Sequence, residues 1–281
     1  MESFFVTRHI TADELEVDPM PELVRMNILG GLQISQGSQV VEGFISRKVP
    51  ALLVYLALSD RAISRTALME LLWGDMAESA AQVSIRKALS NLRQVLGESV
   101  VITRDSVMFV HSSAQIDAVR FQQICAIPEA SLEELHEAVD LYTGDLLEGF
   151  VVRDAAYFDD WLTTQRENLR RLMENTLYTL GLRYAAAGEA NWAKSITFMT
   201  RLLQFDPYRE EAYRHLMNIL ARSGQRTAAL SHYDLCLQRL TTDLGVHPMP
   251  ETQALYERLK GLGLPRQQRL PPEPTPFVGR T

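Results

Sequence analysis

The sequence has few of the residues on which metal centres, disulfides and membrane anchors depend. Only two of its 281 residues are cysteines, Cys125 and Cys236, and neither has a motif partner. The six histidines are scattered, without the spacing of a metal site. No apolar run approaches the ~18 residues of a transmembrane helix, and no basic-then-apolar signal segment opens the chain. We therefore expect a cytoplasmic protein with reduced cysteines, no metal and no cofactor.

Catalytic motifs are missing as well. The chain has no nucleophile elbow and no G-x-x-x-x-G-K-[ST] phosphate loop. The acidic side chains of Asp154, Asp159 and Asp160 cluster, but they have no partner base at catalytic spacing. We interpret them as charges at the N-terminus of a helix. The sequence therefore does not predict an enzyme.

Charge is spread unevenly along the chain, whose net charge is −7. Residues 25–112 contain nine Lys and Arg against seven Asp and Glu, a net of +2, whereas residues 1–24 carry −5 and residues 113–281 carry −4. The overall acidity argues against a protein that coats nucleic acid along its whole surface. A mildly basic module on an acidic chain favours a DNA-binding domain joined to something else.

The order of elements in residues 25–112 is that of a winged helix. Short alternating apolar runs at 26–29, 32–34 and 39–41 predict strands. Three helices are predicted next, at 47–59, 65–73 and 80–96, the first capped by Ser46 and the second by Ser64. A hairpin at 100–103 and 107–110 follows. In such a domain the third helix enters the major groove of DNA and the hairpin forms the wing.

The third predicted helix has a narrow apolar stripe and a polar outer face. Its candidates for base contacts are Lys87, Ser90, Asn91 and Gln94, because amide, hydroxyl and ammonium groups read base edges. Arg86 and Arg93 flank this face, and we expect them to bind phosphates. Two alternatives remain open: a solvated surface helix, and ion pairs of the two arginines with a neighbouring acid such as Glu70 or Glu78.

Other parts of the predicted winged helix offer further contacts. Arg47 and Lys48 lie at a helix start, where backbone amides and cations together favour a phosphate. Arg104 is the candidate in the wing turn, although charged hairpin turns also serve solubility. Asp75, Met76 and Glu78 occupy the link before the third helix. Their mixture of apolar and acidic side chains would suit a protein contact, but a plain connector is at least as good an alternative.

From residue 116 onward helical periodicity replaces the strand pattern. Helices are predicted at 117–126, with an Asp cap, at 131–142, with a Ser131–Glu134 capping box, and at 154–187. An Ala-Gly-Glu segment at 187–189 recurs as Ser-Gly-Gln at 223–225, which predicts stacked tetratricopeptide-like hairpins. Residues 261–276 hold five prolines and two glycines and are predicted to form an extended linker.

The sequence resembles the antibiotic regulatory protein family of bacterial transcription activators. The resemblance covers most of the chain and lies in six segments, 47–53, 63–74, 89–97, 117–121, 141–147 and 244–248. Leu-Trp-Gly at 72–74 together with Asp-Leu-Gly-x-x-Pro at 243–248 is its most specific part.

The resemblance implies an α+β winged helix-turn-helix domain of the OmpR type followed by an all-α, tetratricopeptide-like bacterial transcriptional activation domain. We place the leader at 1–24, the winged helix at 25–112, the activation domain at 113–260 and the linker at 261–281. The implied function is binding of promoter DNA and recruitment of RNA polymerase, with a homodimer formed through the helical domain. The resemblance to this class of winged helices also implies that the link with Asp75, Met76 and Glu78 corresponds to a loop that can contact RNA polymerase. The alternative is a protein-interaction module that controls a downstream nucleotide-binding ATPase domain, whose beginning residues 276–280 resemble.

Overall fold

The computed structural model describes residues 23–261, in which the chain forms two compact units that divide between Thr176 and Leu177. The predicted leader, with a strand at residues 4–6, and the predicted linker after 261 lie outside the described residues. The strands are β1 Val24–Asn27, β2 Gln33–Gln36, β3 Gln39–Val40, β4 Ile63–Ser64, β5 Val100–Ile102, β6 Ser106–Phe109 and β7 Ala114–Ile116. The helices are α1 Lys48–Ala57, α2 Arg65–Trp73, α3 Glu78–Leu96, α4 Asp117–Cys125, α5 Leu132–Leu141, α6 Ala156–Ala186, α7 Trp192–Phe205, α8 Glu210–Arg222, α9 Arg226–Arg239 and α10 Pro250–Gly261.

Helices α1, α2 and α3 pack with a three-stranded sheet of order β4-β6-β5. The core of this winged helix consists of fully buried aliphatic side chains, among them Leu52, Leu68 and Leu92. The predicted cap of α2 is confirmed, because the Ser64 hydroxyl accepts a hydrogen bond from the Ala67 amide at 3.2 Å. The predicted Ser46 cap of α1 is wrong: the residue before this helix is Arg47, and no side chain caps it.

A four-stranded sheet of order β3-β2-β1-β7 precedes the winged helix in the chain and receives its last strand from beyond the wing. β1 pairs with β2 in the antiparallel sense, whereas β1 and β7 run parallel, with Met26 opposite Ile116. The sequence pattern did not predict β7. Just after β7, the Asp117 carboxylate accepts hydrogen bonds from the amides of Ile28 and Leu29, which follow β1, at 2.8 and 2.9 Å.

Asp117 therefore has a different role from the one predicted. It is the first residue of α4 and not its cap, and the residue before the helix is Ile116. Its carboxylate joins β1 to α4 across 89 residues of sequence. The capping box of α5, in contrast, is confirmed: Ser131 and Glu134 exchange side chain to backbone bonds of 2.7 and 3.1 Å.

The first part of α6 belongs to the same compact unit as the winged helix. Arg166 donates hydrogen bonds to the carbonyls of Leu146 and Leu147, both at 2.8 Å. One turn further, Arg170 forms an ion pair of 2.5 Å with Asp145. Leu146 also bridges to Leu29 at the end of β1. These bonds place the 141–147 segment between β1 and α6.

The second unit consists of helical hairpins. α8 packs against α7 and α9, and α10 packs against α8 and α9. The turns before α7 and α9 contain Gly188 and Gly224, whose positive φ angles of 99° and 79° favour glycine. The buried Glu210 carboxylate accepts hydrogen bonds from the Met249 amide and the Thr252 hydroxyl, so it fixes the start of α10.

Residues 23–261 show neither a membrane-spanning helix nor a cluster of metal ligands. None of the helices in this part of the chain is both long and apolar enough to cross a bilayer. The same residues contain no group of three or more His, Cys, Asp or Glu side chains arranged to hold a metal ion.

Candidate nucleic-acid interface

The outer face of α3 is basic and exposed. The sequence has no Asp or Glu from Ser79 to Gly97, so nothing acidic interrupts this face after the first residue of the helix. The apolar stripe faces the core, with Ile85, Leu89 and Leu92 buried. The opposite side presents five of the six predicted contact residues of the helix to solvent: Arg86, Lys87, Ser90, Arg93 and Gln94.

The cations of this face are almost free of protein partners. The ion pairs of the described residues include Arg120–Glu137, Arg170–Asp145 and Arg214–Glu211, but the cations of α3 take part in none there. Arg86 donates one hydrogen bond, 3.0 Å long, to the carbonyl of Gln82 in the preceding turn. The alternative of ion pairs with Glu70 or Glu78 is therefore not what this structure shows. The guanidinium and ammonium groups keep most of their donors for a ligand.

Asn91 is not part of the exposed face. Its side chain is only 8% exposed. Its amide oxygen accepts a hydrogen bond from the Ile45 amide at 3.1 Å, and its amide nitrogen donates to the Gly43 carbonyl at 3.0 Å. The prediction that Asn91 contacts bases is wrong for this reason: both ends of the amide hold the segment that leads into α1.

The two cations at the start of α1 are also bonded to the protein. The Lys48 ammonium donates to the carbonyls of Leu72 and Asp154 at 2.5 and 2.7 Å, and burial lowers the pKa of this lysine. Two of the three ammonium N–H groups of Lys48 are thus used within the fold, and a phosphate contact through the third stays a prediction. Arg47 is exposed, but it donates one hydrogen bond of 3.2 Å to the Val151 carbonyl and lies 5.6 Å from the centre of the Phe150 ring.

The wing places Arg104 at the tip of the β5–β6 hairpin, where it is exposed. The turn is rigid because the Thr103 hydroxyl accepts hydrogen bonds from the amides of Asp105 and Ser106 at 3.3 and 3.0 Å. A second anchor comes from the Arg65 amide, which donates to the Asp105 carbonyl at 2.9 Å. The wing thus presents one cation on a fixed support.

The link before α3 is shorter than predicted, because the helix begins at Glu78. Asp75 and Met76 are exposed in it, and the Met76 side chain is 41% exposed. Glu78 lies in the first turn of α3, where its carboxylate accepts a 3.2 Å hydrogen bond from Gln82. Two of the three candidates for a polymerase contact therefore lie in the link, and the third lies in the helix.

The sequence reasoning missed one residue of the outer face. Val83 lies one turn before Lys87 and is 46% exposed, although it is apolar. Its position outside the apolar stripe could have indicated from the sequence that this valine is exposed. An aliphatic side chain on a groove-facing surface can contact the methyl group of thymine.

Comparison with known proteins fits this architecture. The sequence matches the family described as bacterial transcriptional activator domain over residues 112–260, which is more than half of the chain. The chain belongs to this family. The resemblance to regulatory proteins of the antibiotic regulatory type is thereby confirmed.

The relatives are named as regulatory proteins. The regulatory protein AfsR of Streptomyces coelicolor is 28% identical over 250 residues, which cover 84% of this chain and 24% of AfsR. The transcriptional regulatory protein EmbR of Mycobacterium tuberculosis is 26% identical over 261 residues, which cover 83% of this chain and 62% of EmbR. The chain thus spans about a quarter of the length of AfsR and about three fifths of that of EmbR.

A solved structure confirms the fold class. The structure of Mycobacterium tuberculosis EmbR in complex with a low affinity phosphopeptide superposes with a TM-score of 0.64 at 23% identity. The match covers 86% of this chain and 66% of the EmbR chain. The winged helix followed by helical hairpins is therefore an architecture that the two proteins share.

Proposed function

We propose that this chain is a sequence-specific DNA-binding transcriptional activator, which binds promoter DNA through α3 and recruits RNA polymerase. The observation that carries the proposal is the outer face of α3, which has no Asp or Glu after Glu78 and on which Arg86, Lys87 and Arg93 are exposed and without ion pairs in the described residues. A structural surface helix would gain from acids spaced to pair with its cations. Unpaired cations on the third helix of a winged helix suit the phosphates that border a major groove.

The positions on α3 suggest a division of roles. Arg86 and Arg93 lie two turns apart on the same edge of α3, where they would bind phosphates along one side of the groove. Lys87, Ser90 and Gln94 lie beside this edge and would contact base edges, with Lys suited to guanine and Gln to adenine. Val83 adds an apolar contact, and Arg104 of the wing adds a cation outside the major groove. Arg47 keeps donors for one further phosphate contact.

The proposal of a protein partner rests on the exposed residues just before and at the start of α3. The exposed side chains of Asp75 and Met76, with Glu78 behind them, form a surface of mixed apolar and acidic character next to α3. A protein contact suits this mixture, and RNA polymerase is the partner that the proposed function requires. A homodimer through the helical hairpins and the predicted domain division at 112/113 remain proposals of the same kind.

The test is the binding of promoter fragments by a double variant. Arg86→Ala with Lys87→Ala removes two charge-assisted contacts, each of about 1.5–3 kcal/mol, so affinity should fall at least ~100-fold. Circular dichroism should be unchanged, because both side chains are exposed. Fragments are selected from the genome with the purified chain, and the affinity is then measured at fixed salt.

A matched control removes two cations elsewhere. Arg25→Ala with Arg171→Ala also removes two positive charges, so the net charge changes by the same amount. Both residues are exposed and distant in sequence from α3. This control should reduce affinity less than threefold, an effect of general charge alone. Equal losses in both double variants, or no retention of DNA by the unmodified chain, would contradict the proposal and favour a protein-interaction module.

A further inference from the structure

A cavity of about 780 Å³ lies next to α3 in the first unit. The start of α1, the end of α2, the middle of α3 and residues 151–154 line it. Its volume is within the range of roughly 300–1,000 Å³ that is typical of small-molecule sites. The proposed DNA contacts do not require such a space, although two of the proposed contact residues, Arg47 and Lys87, line its wall.

The walls of this cavity combine cations with apolar surface. Four cationic residues line it against one carboxylate, that of Asp154. The cations are Arg47, Lys48, Lys87 and Arg153. Trp73 and Val151 contribute to the apolar part of the wall. This composition suits an organic anion with an aromatic or aliphatic body, because the cations would bind its charge while the ring and the valine cover its apolar part.

Hydrogen bonds within the protein fix part of the wall before any ligand arrives. The bonds from Lys48 to Leu72 and Asp154, and from Arg47 to Val151, join α1 to the end of α2 and to the segment 150–154. They leave one ammonium N–H of Lys48 and most donors of Arg47 unused. A wall that is fixed in advance reduces the ordering cost of binding.

The other two cations have no partner in the described residues. Arg153 and Lys87 are exposed, and neither side chain makes a hydrogen bond or an ion pair within residues 23–261. They approach the cavity from different elements, Arg153 from the segment before α6 and Lys87 from α3. An anion bound between them would therefore have charged donors on two sides.

We propose that this cavity is a binding site for a small organic anion with an apolar body, and that the anion regulates the DNA-binding helix. Lys87 supplies the coupling, because the same ammonium would serve the ligand and a base edge or phosphate. Ligand and DNA should therefore weaken each other's binding reciprocally. The proposed ligand site depends only on the cavity, whereas the proposed coupling between ligand and DNA also depends on the proposed function.

The first experiment measures binding of a probe to the full chain. The probe is 1-anilinonaphthalene-8-sulfonate, an aromatic sulfonate whose fluorescence rises in an apolar site. We expect saturable binding of one molecule per chain. Arg153→Ala should weaken it roughly tenfold, the effect of one lost hydrogen bond to a charged group. The matched control Arg171→Ala should leave the affinity of the probe unchanged.

A neutral analogue tests the charge requirement. N-phenyl-1-naphthylamine has the same aromatic body without the sulfonate, and it should bind at least tenfold more weakly than the probe. Equal affinity of the two compounds, equal affinity of Arg153→Ala and Arg171→Ala for the probe, or no saturable binding at all would overturn the site.

The second experiment tests the coupling and separates it from the proposed function. With wild-type protein, a saturating amount of probe should reduce promoter affinity several-fold. Arg153→Ala should bind DNA like wild type without the probe and should lose the effect of the probe. If the chain binds no DNA, the proposed function fails while the first experiment still decides the site. If DNA binds but the probe never changes its affinity, the coupling is overturned.

Discussion

The outer face of α3 and the start of α1 are two basic regions of one winged helix, but their cations are used differently. On α3, Arg86, Lys87 and Arg93 form no ion pairs and are exposed. At the start of α1, Lys48 is bonded to two carbonyl groups and Arg47 to a third. The comparison separates cations without partners in the described part of the chain from cations that are bonded within the fold, which residue type alone does not do.

The same distinction applies within α3. Asn91 and Gln94 are both amides on the polar side of the helix, three residues apart. Asn91 is buried and bonded at both ends to the backbone, whereas Gln94 is exposed. If this distinction holds, substitutions of the bonded side chains should affect folding, whereas substitutions of the exposed ones should affect DNA binding.

The largest effect on stability is expected at Asn91. Asn91→Leu would leave the Ile45 amide and the Gly43 carbonyl without their partners, which should lower the free energy of unfolding of the first unit by about 2–3 kcal/mol. Urea titration followed by circular dichroism measures this change. Gln94→Leu is the matched control and should change stability by less than ~0.5 kcal/mol. Equal stability of the two variants would show that the Asn91 bonds are not needed.

A smaller loss of stability is expected at Lys48. Lys48→Met keeps the aliphatic chain but removes the bonds to Leu72 and Asp154, which should cost about 1–2 kcal/mol. The expected loss of stability is smaller than at Asn91, because the substitution also removes the cost of partly burying an ammonium group. The same burial lowers the pKa of Lys48. The control is Lys87→Met, which should leave the unfolding midpoint in urea unchanged. The comparison fails if Lys87→Met is the less stable of the two.

The smallest effect concerns base preference. Gln94→Ala should reduce discrimination at one base pair by about tenfold, within the range of roughly 1–3 kcal/mol for a bidentate contact, without changing the salt dependence of binding. Selection of binding sites from a randomised pool measures it. A loss of affinity that is uniform over all sequences would instead make Gln94 a contact to the DNA backbone.

Much of the fold could be predicted because it follows from local signals. The bounds of α2, its Ser64 cap and the capping box of α5 depend on residues three or four apart, and all three are confirmed. β7 is different, because three residues without a clear pattern become a strand only when β1, far away in sequence, pairs with them. The Asp117 carboxylate is a second case, since its partners Ile28 and Leu29 are also remote in the chain.

The candidate site shows the same limit. A helical wheel places Asn91 beside Lys87 and Gln94, and only the path of residues 43–45 over that side of α3 buries it. The bond from Arg47 to Val151 and one of the two bonds of Lys48, to Asp154, have acceptors more than 100 residues later in the chain. Periodicity identified the exposed face of the helix, but it could not identify the neighbours that cover its edge.

The salt dependence of promoter binding tests the central claim most directly. The slope of log K against log salt concentration is measured for wild type, Arg86→Ala and Lys48→Met. If Arg86 binds phosphate and Lys48 holds the fold, Arg86→Ala should reduce the magnitude of the slope by ~0.9. Lys48→Met should leave it unchanged at temperatures where the variant is folded. A reduced slope in Lys48→Met together with an unchanged slope in Arg86→Ala would contradict the assignment of the two basic regions.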